Sequence, residues 1–294
     1  MTDTHHQTDT GTPTISATAK PLGAGGATIP SLGFGTFRMP GADVLDIVPK
    51  ALAIGYRHID TAQIYGNEAE VGEAIERSNV PRKDIFLTTK VWVDHYRGGD
   101  LQASVATSLM KLRTDHVDLL LLHWPNPKVA LAETLDALNA VQRAGMARHI
   151  GVSNLNTAQM AEAVRLSAAP LATNQVEYHP YLNQDKLLRA AAALNMTVTA
   201  YYGLADGTVA GDPVLRAIGE RHGKSAVQVT LRWLVQQPGV VALTKTVQAA
   251  RALSNLQIFD FALGLDEMAA VHALTARHKR FVSPEGLAPE WDQA

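Results

Sequence analysis

Eight short β-rich runs, each separated from the next by a stretch of helical length, restrict what this chain can fold into more than any other feature. The runs span residues 32–36, 56–60, 85–90, 117–123, 149–153, 172–177, 198–202 and 240–243. Helical periodicity fills the gaps at residues 44–54, 68–77, 101–112, 132–144, 157–166, 185–194 and 226–235. Strands that alternate with helices pair in parallel, because a parallel neighbour needs a crossover long enough to hold a helix. Eight such units predict an α/β fold of the (β/α)8 TIM-barrel type. Two more helix candidates, residues 213–221 and 266–276, fall outside the repeat as decorations, and the Gly/Ala stretch 22–29 predicts a small N-terminal hairpin that plugs one end of the barrel.

A chain of 294 residues accommodates this as one domain, since α/β barrels commonly take about 200 to 250 residues. No Pro/Gly/Ser-rich linker interrupts residues 21–294, which are expected to form that single barrel domain. Residues 1–20 are rich in Thr, Asp and His with almost no large apolar side chain, so they read as a disordered tail. The His5-His6 pair within it has no further ligand at suitable spacing, and no metal is expected. A net charge of −2 without a Lys/Arg stripe excludes an electrostatic footprint for nucleic acid or an anionic membrane surface. No apolar run reaches the roughly 18 residues of a membrane span, and residues 1–20 lack the pattern of a secretory signal. With Cys 0, disulfides, thiolate nucleophiles and thiolate metal sites are all excluded. A cytoplasmic location is the expectation.

In a parallel barrel the chemistry collects where the C-terminal strand ends meet, so the last residue of each run is the informative one. Here Ile59 leads into Asp60, Thr89 into Lys90, Leu122 into His123, Val152 into Ser153-Asn154, and Thr173 into Asn174-Gln175. A carboxylate, an ammonium and an imidazole thus arrive from three successive strands. Tyr65 follows Asp60 within one βα loop, and its hydroxyl can return over the same mouth. A phenol titrates near 10, too high for acid–base work at neutral pH, but an adjacent ammonium favours phenolate and predicts a lowered value. With Lys90 supplying that charge, Asp60 orienting Lys90 and His123 meeting a carbonyl oxygen, the set suits reversible proton transfer to a carbonyl. Taken singly, Asp60 and Lys90 read equally as a buried ion pair, and Tyr65 as a loop aromatic packed on a helix start.

The motifs Asp60-Thr61-Ala62-Gln63-Ile64-Tyr65-Gly66-Asn67-Glu68, Thr88-Thr89-Lys90-Val91-Trp92, Gly151-Val152-Ser153-Asn154, and those over residues 118–125 and 174–180, resemble the signatures of the aldo-keto reductases. The resemblance runs from about Ile29 to the C-terminus. The tail from Phe281 to Asp292 is most similar to the bacterial 2,5-diketo-D-gluconate reductase B branch. It implies a tetrad of Asp60, Tyr65, Lys90 and His123 with Tyr65 as proton donor, NADPH/NADP+ as cofactor bound without a Rossmann fold, a small carbonyl substrate, and a monomer.

Gly23-Ala24-Gly25-Gly26 fails as a dinucleotide loop, because Thr28 stands where the third glycine belongs and no helix opens there. Lys245-Thr246-Val247, followed by Arg251 and Asn255, places a cation and a hydroxyl at a strand end and a second cation early in a helix, which is phosphate-binding chemistry. A solvated helix terminus with ordinary surface cations is the plainer alternative. The resemblance implies that Lys245, Thr246 and Arg251 hold the 2′-phosphate and Asn255 the adenine. By the same route Ser153, Asn154 and Gln175 meet the carboxamide, Tyr201 stacks on the nicotinamide, and Gly35, Thr36, Phe37, Leu204 and Val247 complete the cofactor contacts. Three positions depart from the family pattern: Gly203 and Thr244 replace prolines, and Ser254 replaces an acidic residue. Gly203 predicts a looser clasp on the pyrophosphate.

Phe37, Trp92, His123 and Trp124 are the expected substrate pocket, apolar walls around a polar centre. Arg280 and His95 are candidate anchors for a substrate carboxylate, and the C-terminal segment 279–294 is expected to set substrate preference. Two other functions stay open from the residues: a barrel aldolase with Lys90 as Schiff-base nucleophile, and a non-catalytic cofactor-binding sensor or subunit.

Overall fold

The computed structural model describes residues 19–23 and 26–293. The His5-His6 pair and the middle of the glycine cluster, Ala24 and Gly25, lie outside the described residues. Ala19 and Lys20, which the sequence reading assigns to the tail, belong instead to strand β1 (Ala19–Pro21), antiparallel to β2 (Thr28–Pro30). This is the expected hairpin. Its first residue past the strand, Leu22, donates its backbone N–H to Ala27 O at 2.8 Å and is buried with Ile29 against Leu119, Leu121, Ala172 and Val241, closing the barrel bottom.

Eight parallel strands form the closed barrel: β3 (Leu32–Gly35), β4 (His58–Asp60), β5 (Phe86–Val91), β6 (Val117–Leu122), β7 (Ala147–Ser153), β8 (Leu171–Glu177), β9 (Thr197–Tyr201) and β10 (Val240–Thr244), with β10 pairing back onto β3. Helices α1 (Gly41–Ile54), α2 (Glu68–Arg77), α3 (Gly98–Leu112), α4 (Leu131–Arg143), α5 (Thr157–Leu166) and α6 (Asp185–Ala193) follow the first six of these strands. The last two units are completed by α8 (Ala226–Gln236) and α9 (Ala249–Leu256), while α7 (Pro213–His222) and α10 (Leu265–Ala273) are the two decorations. Alternate strand residues divide the core in two, an inner set filling the barrel and an outer set packed beneath the helices.

Where the strand limits differ from expectation, hydrogen bonds explain it. Tyr56 and Arg57 precede β4: the Tyr56 N–H is spent on Ala51 O at 3.0 Å at the end of α1, and of Arg57 only the carbonyl meets the next strand, accepting from Phe86 N at 2.7 Å. Thr36 and His123 lie one residue past their strands, each still tied to the neighbouring strand through its backbone N–H, to Asp60 O at 3.0 Å and Val91 O at 3.2 Å. The register between β7 and β8 slips between Ile150 and Val152, just before Ser153 and Asn154. Gly151 marks that place, since a Cβ there would stand 2.8 Å from Thr173 O. Among the described residues no helix is long and apolar enough to cross a membrane.

His58 begins β4 inside the barrel, fully buried, with Nε2 on Thr88 Oγ1 at 3.0 Å and Nδ1 without a partner. Burial favours the neutral ring and holds its pKa down to about 4 against an ordinary 6.5. The unfolded chain therefore binds a proton that the folded chain refuses, and stability falls by up to about 3 kcal/mol as pH drops from about 6.5 to about 4. His58→Gln keeps a donor for Thr88 and removes the titration. Urea unfolding at pH 7 and pH 4.5 is expected to show a smaller acid loss in His58→Gln than in the wild type; equal losses would assign the acid slope to other groups.

Candidate active site

The C-terminal end of β4 delivers Asp60 and that of β5 delivers Lys90, both buried. An ammonium has three protons, and here each finds an acceptor: Asp60 Oδ1 at 2.6 Å, Thr61 O at 2.8 Å and Tyr65 Oη at 3.4 Å. The second carboxylate oxygen, Asp60 Oδ2, accepts from Gln175 Nε2 at 2.8 Å, a bond that crosses from β4 to β8. The Tyr65 ring stands at 5.7 Å and near right angles to His123, and the Trp92 ring at 5.4 Å from the same imidazole. The structure thus brings Asp60, Tyr65, Lys90 and His123 to one mouth.

Tyr65 departs from expectation in its charge balance. Burial, and then the Asp60 carboxylate, push its hydroxyl well above 10, where a lowered value was predicted. The reason is geometric. Asp60 sits 2.6 Å from Lys90 and offsets the ammonium, so the phenol meets a nearly neutral pair in a dry setting that favours its protonated form. Because Tyr65 Oη accepts from Lys90, its own proton is left for whatever enters the mouth. His123 is pushed well below 6.5 by burial and then by Lys90, so it is neutral at pH 7. Its Nδ1 is sealed from solvent without a partner, which leaves Nε2 as the nitrogen a ligand can meet.

Tyr65 is held from behind by Gln63, a residue the sequence reading did not single out. Gln63 Oε1 accepts from Trp92 N at 2.8 Å, and Nε2 donates to Ser104 Oγ and Ser108 Oγ, both at 3.1 Å. One amide therefore ties the turn Gln63–Tyr65 to α3 and to the start of the Trp92 loop. Its position two residues before Tyr65 was the available signal, but its partners lie 29 to 45 residues away.

The residues expected around a nicotinamide form a bonded cluster. Asn154, at φ 61°, turns its amide back into the barrel, where Nδ2 donates to His123 O at 2.9 Å and Ser153 Oγ at 3.0 Å, and Oδ1 accepts from Tyr201 Oη at 2.7 Å. Ser153 Oγ donates to Gln175 O at 2.7 Å. With Nε2 spent on Asp60, the Gln175 side-chain oxygen Oε1 has no donor among the described residues. Along the rim, Lys245 Nζ reaches Arg38 O at 3.1 Å, and Arg38, Lys245 and Arg251 make no ion pair among the described residues. Burial and the neighbouring Arg38 guanidinium hold Lys245 below the ordinary ammonium range. Arg38 beside Lys245, with Asp43 acting from beyond ion-pair range, makes a cationic edge that suits a polyanion, and Arg38 is an addition to the expected set. Thr246 Oγ1 accepts from Gln248 N at 3.1 Å, Val247 is exposed, and Asn255 is buried with Nδ2 donating to Thr244 Oγ1 at 2.8 Å. The threonine that replaces a proline thus fixes Asn255.

Gly35 closes β3, and the Thr36 hydroxyl is spent on Asp60 O at 3.2 Å. Leu204 lies in a turn whose residues Tyr202, Ala205, Asp206 and Gly207 all have positive φ. Gly203 is set by space, since a Cβ would approach Leu234 Cδ1 to 2.8 Å. Phe37, exposed, leans on Tyr65 at 5.0 Å, and Trp124 meets Trp291 at 6.4 Å. Trp291 is a wall that the sequence reading covered only as part of the C-terminal segment. Arg280 lies 3.8 Å above the Trp291 ring and 3.8 Å from Glu177 Oε2, whereas His95 is exposed on a separate groove of about 430 Å³ beside Gln63.

Removing one partner of the Asp60–Lys90 pair strands a buried charge, so Lys90→Met is expected to cost about 3–5 kcal/mol in urea unfolding, with part of that loss recovered on adding Asp60→Asn. Equal stability of single and double variants would show that the pair does not govern folding.

Comparison with known proteins agrees with this geometry. The Aldo/keto reductase family profile matches residues 21–276. Methylglyoxal reductase DkgB of Yersinia pestis is 41% identical over 267 residues, covering 90% of this chain and 99% of that protein. A crystal structure assigned provisionally as a 2,5-diketo-D-gluconic acid reductase B superposes with a TM-score of 0.92 at 62% identity, covering 94% of this chain and 99% of the other. An aldo/keto reductase structure from Brucella melitensis gives 0.85 at 38% identity, covering 90% of this chain and 100% of the other. With its barrel, its cluster of Asp60, Tyr65, Lys90 and His123, and these relatives, the chain belongs to the aldo/keto reductase family.

Proposed function

We propose that this protein reduces small aldehydes and ketones with NADPH, using Tyr65 as the proton donor. The substrate class we infer is keto-sugar acids such as 2,5-diketo-D-gluconate and α-dicarbonyls such as methylglyoxal, which the names of two similar proteins also indicate. One observation carries the reading: Lys90 donates to Tyr65 Oη at 3.4 Å while Tyr65 keeps its own proton.

The residues then divide the work. A carbonyl oxygen at the mouth accepts from the Tyr65 hydroxyl and from neutral His123, so charge that develops on that oxygen is met by two fixed donors. As the Tyr65 proton transfers, the oxygen it leaves is already hydrogen-bonded to the Lys90 ammonium, which stabilises the phenolate. Asp60 and Gln175 prevent Lys90 from turning away. Arg38, Lys245 and Arg251 would hold the phosphates of NADPH and Asn154, Gln175 and Tyr201 its nicotinamide, which would supply the hydride. Phe37, Trp92 and Trp124 exclude water from the carbonyl. Burial lowers the pKa of Lys90, and Asp60 opposes that shift; with all three protons engaged, one of them by this carboxylate, the ammonium is held against the neutral amine a Schiff base requires.

NADPH oxidation with methylglyoxal and with 2,5-diketo-D-gluconate is expected in the wild type. Tyr65→Phe should lower kcat by about 10²- to 10⁴-fold, the usual worth of a positioned general acid. Unchanged turnover in that variant would overturn the mechanism, and NADPH binding without turnover of any carbonyl would favour a sensor. Arg251→Ala should reduce the preference for NADPH over NADH by about tenfold or more, in keeping with a lost charge-assisted contact. An unaltered ratio would remove Arg251 from the 2′-phosphate site.

A further inference from the structure

Glu177, the last residue of β8, is fully buried and takes no part in the mechanism above. A carboxylate in that position costs several kcal/mol unless hydrogen bonds satisfy it. Its partners come from the far end of the chain. Oε1 accepts from Phe281 N at 2.7 Å and Oε2 from Val282 N at 2.8 Å. His179 adds a third bond, Nε2 to Oε1 at 2.9 Å, and because His179 Nδ1 accepts from Tyr181 N at 3.2 Å, the imidazole proton must lie on Nε2 and point at Glu177. Lys279 N donates to Tyr181 O at 2.7 Å immediately before this junction.

The same segment is held again at its other end. Asp292 Oδ2 accepts from Thr157 N at 3.0 Å and Oδ1 from Thr157 Oγ1 at 2.7 Å, while Asn156 Nδ2 donates to Glu290 O at 2.8 Å. These partners sit at the start of α5, two and three residues past Asn154. Between the two anchor points the chain has no regular strand or helix, yet it presents Trp291 to Trp124 at 6.4 Å. Arg280 links the anchor to that ring, lying 3.8 Å from Glu177 Oε2 and 3.8 Å over Trp291. Glu177 is also paired in register with Tyr201, the ring assigned to the nicotinamide.

We propose that Glu177 is a positioning residue for substrate: it pins residues 279–292 so that Trp291 stands against Trp124 as the far wall of the carbonyl pocket, in fixed register with Tyr201. This rests on the reductase reading above. A six-carbon keto-sugar acid, whose chain extends from the reacting carbonyl toward that wall, depends on the pin more than a three-carbon dicarbonyl held by Tyr65 and His123. The Arg280 guanidinium stacks on Trp291 and lies 3.8 Å from Glu177 Oε2, so it braces the pin, while its buried Nη1 has no hydrogen-bond partner among the described residues.

Glu177→Gln replaces one acceptor oxygen by an NH2 that confronts a backbone N–H, and Asp292→Ala removes both acceptors of Thr157 at the other end. In the full-length enzyme with NADPH, each variant is expected to lower the kcat/KM ratio of 2,5-diketo-D-gluconate to methylglyoxal about tenfold, through KM and not kcat, as loss of a charge-assisted hydrogen bond predicts. Trypsin should cut sooner at Arg277, Lys279 or Arg280 in both variants. An unchanged ratio with unchanged cleavage overturns the proposal, as does a loss carried by kcat for both substrates. Should Glu177→Gln fail to fold, Asp292→Ala reports on the same pinned segment. If the wild type turns over neither substrate, the reductase reading fails, and the trypsin comparison still decides whether the pins hold.

Discussion

Closure of the barrel, by parallel pairing of β10 with β3, is the constraint on which the other features depend. An open eight-stranded sheet would splay its strand ends along an edge, whereas closure draws every C-terminal end to one ring. Lys245 after β10 then reaches the backbone of Arg38 after β3, although 207 residues separate them. Gln175 on β8 can bond Asp60 on β4 across the ring, 115 residues apart. The hairpin closes the opposite end with Leu22 and Ile29, so polar groups at the mouth sit on a packed floor. Each half of the molecule thus has a distinct duty: the bottom excludes water and the top arranges charge.

Charge at the mouth is governed by pairing in a setting where water cannot screen. Lys90 is stable there because its three protons are all accepted, and Asp60 because both oxygens are occupied. The outcome for Tyr65 reverses the simple rule that a neighbouring ammonium lowers a phenol's pKa, since burial disfavours the phenolate and Asp60, 2.6 Å from Lys90, offsets the ammonium. Tyr65 and His123 consequently rest in neutral forms that can donate, with the Lys90 ammonium already on Tyr65 Oη. Glu177 follows the same logic at the rim, where a buried carboxylate is tolerated because a distant stretch of backbone satisfies it.

Much of this was legible in the chain itself. The repeat of strand and helix, the two decorations, the hairpin and the strand-end positions of Asp60, Lys90 and His123 all follow from local hydrophobic period and from the rule that strand ends face the mouth. The least legible parts were those where a side chain finds a partner far along the sequence. Tyr56 and Arg57 read as strand because they are β-prone, and they stop short of it because the Tyr56 backbone N–H closes the end of α1 on Ala51 O. Gln63 and Glu177 read as ordinary polar residues within longer motifs. Ala19 and Lys20 read as tail because strand pairing with Ile29 and Pro30 is not a local property.

Sequence alone therefore determined the order of elements and the kinds of chemical group at each strand end, because both depend on near neighbours and on side-chain direction. Only the tertiary structure decided which of those groups touch, which proton each keeps, and what covers the mouth. The physical reason is that hydrogen bonds and burial act over a few ångströms, while the partners of Lys90, Gln63 and Glu177 are brought that close only when the ring of strands closes and the C-terminal segment returns across it.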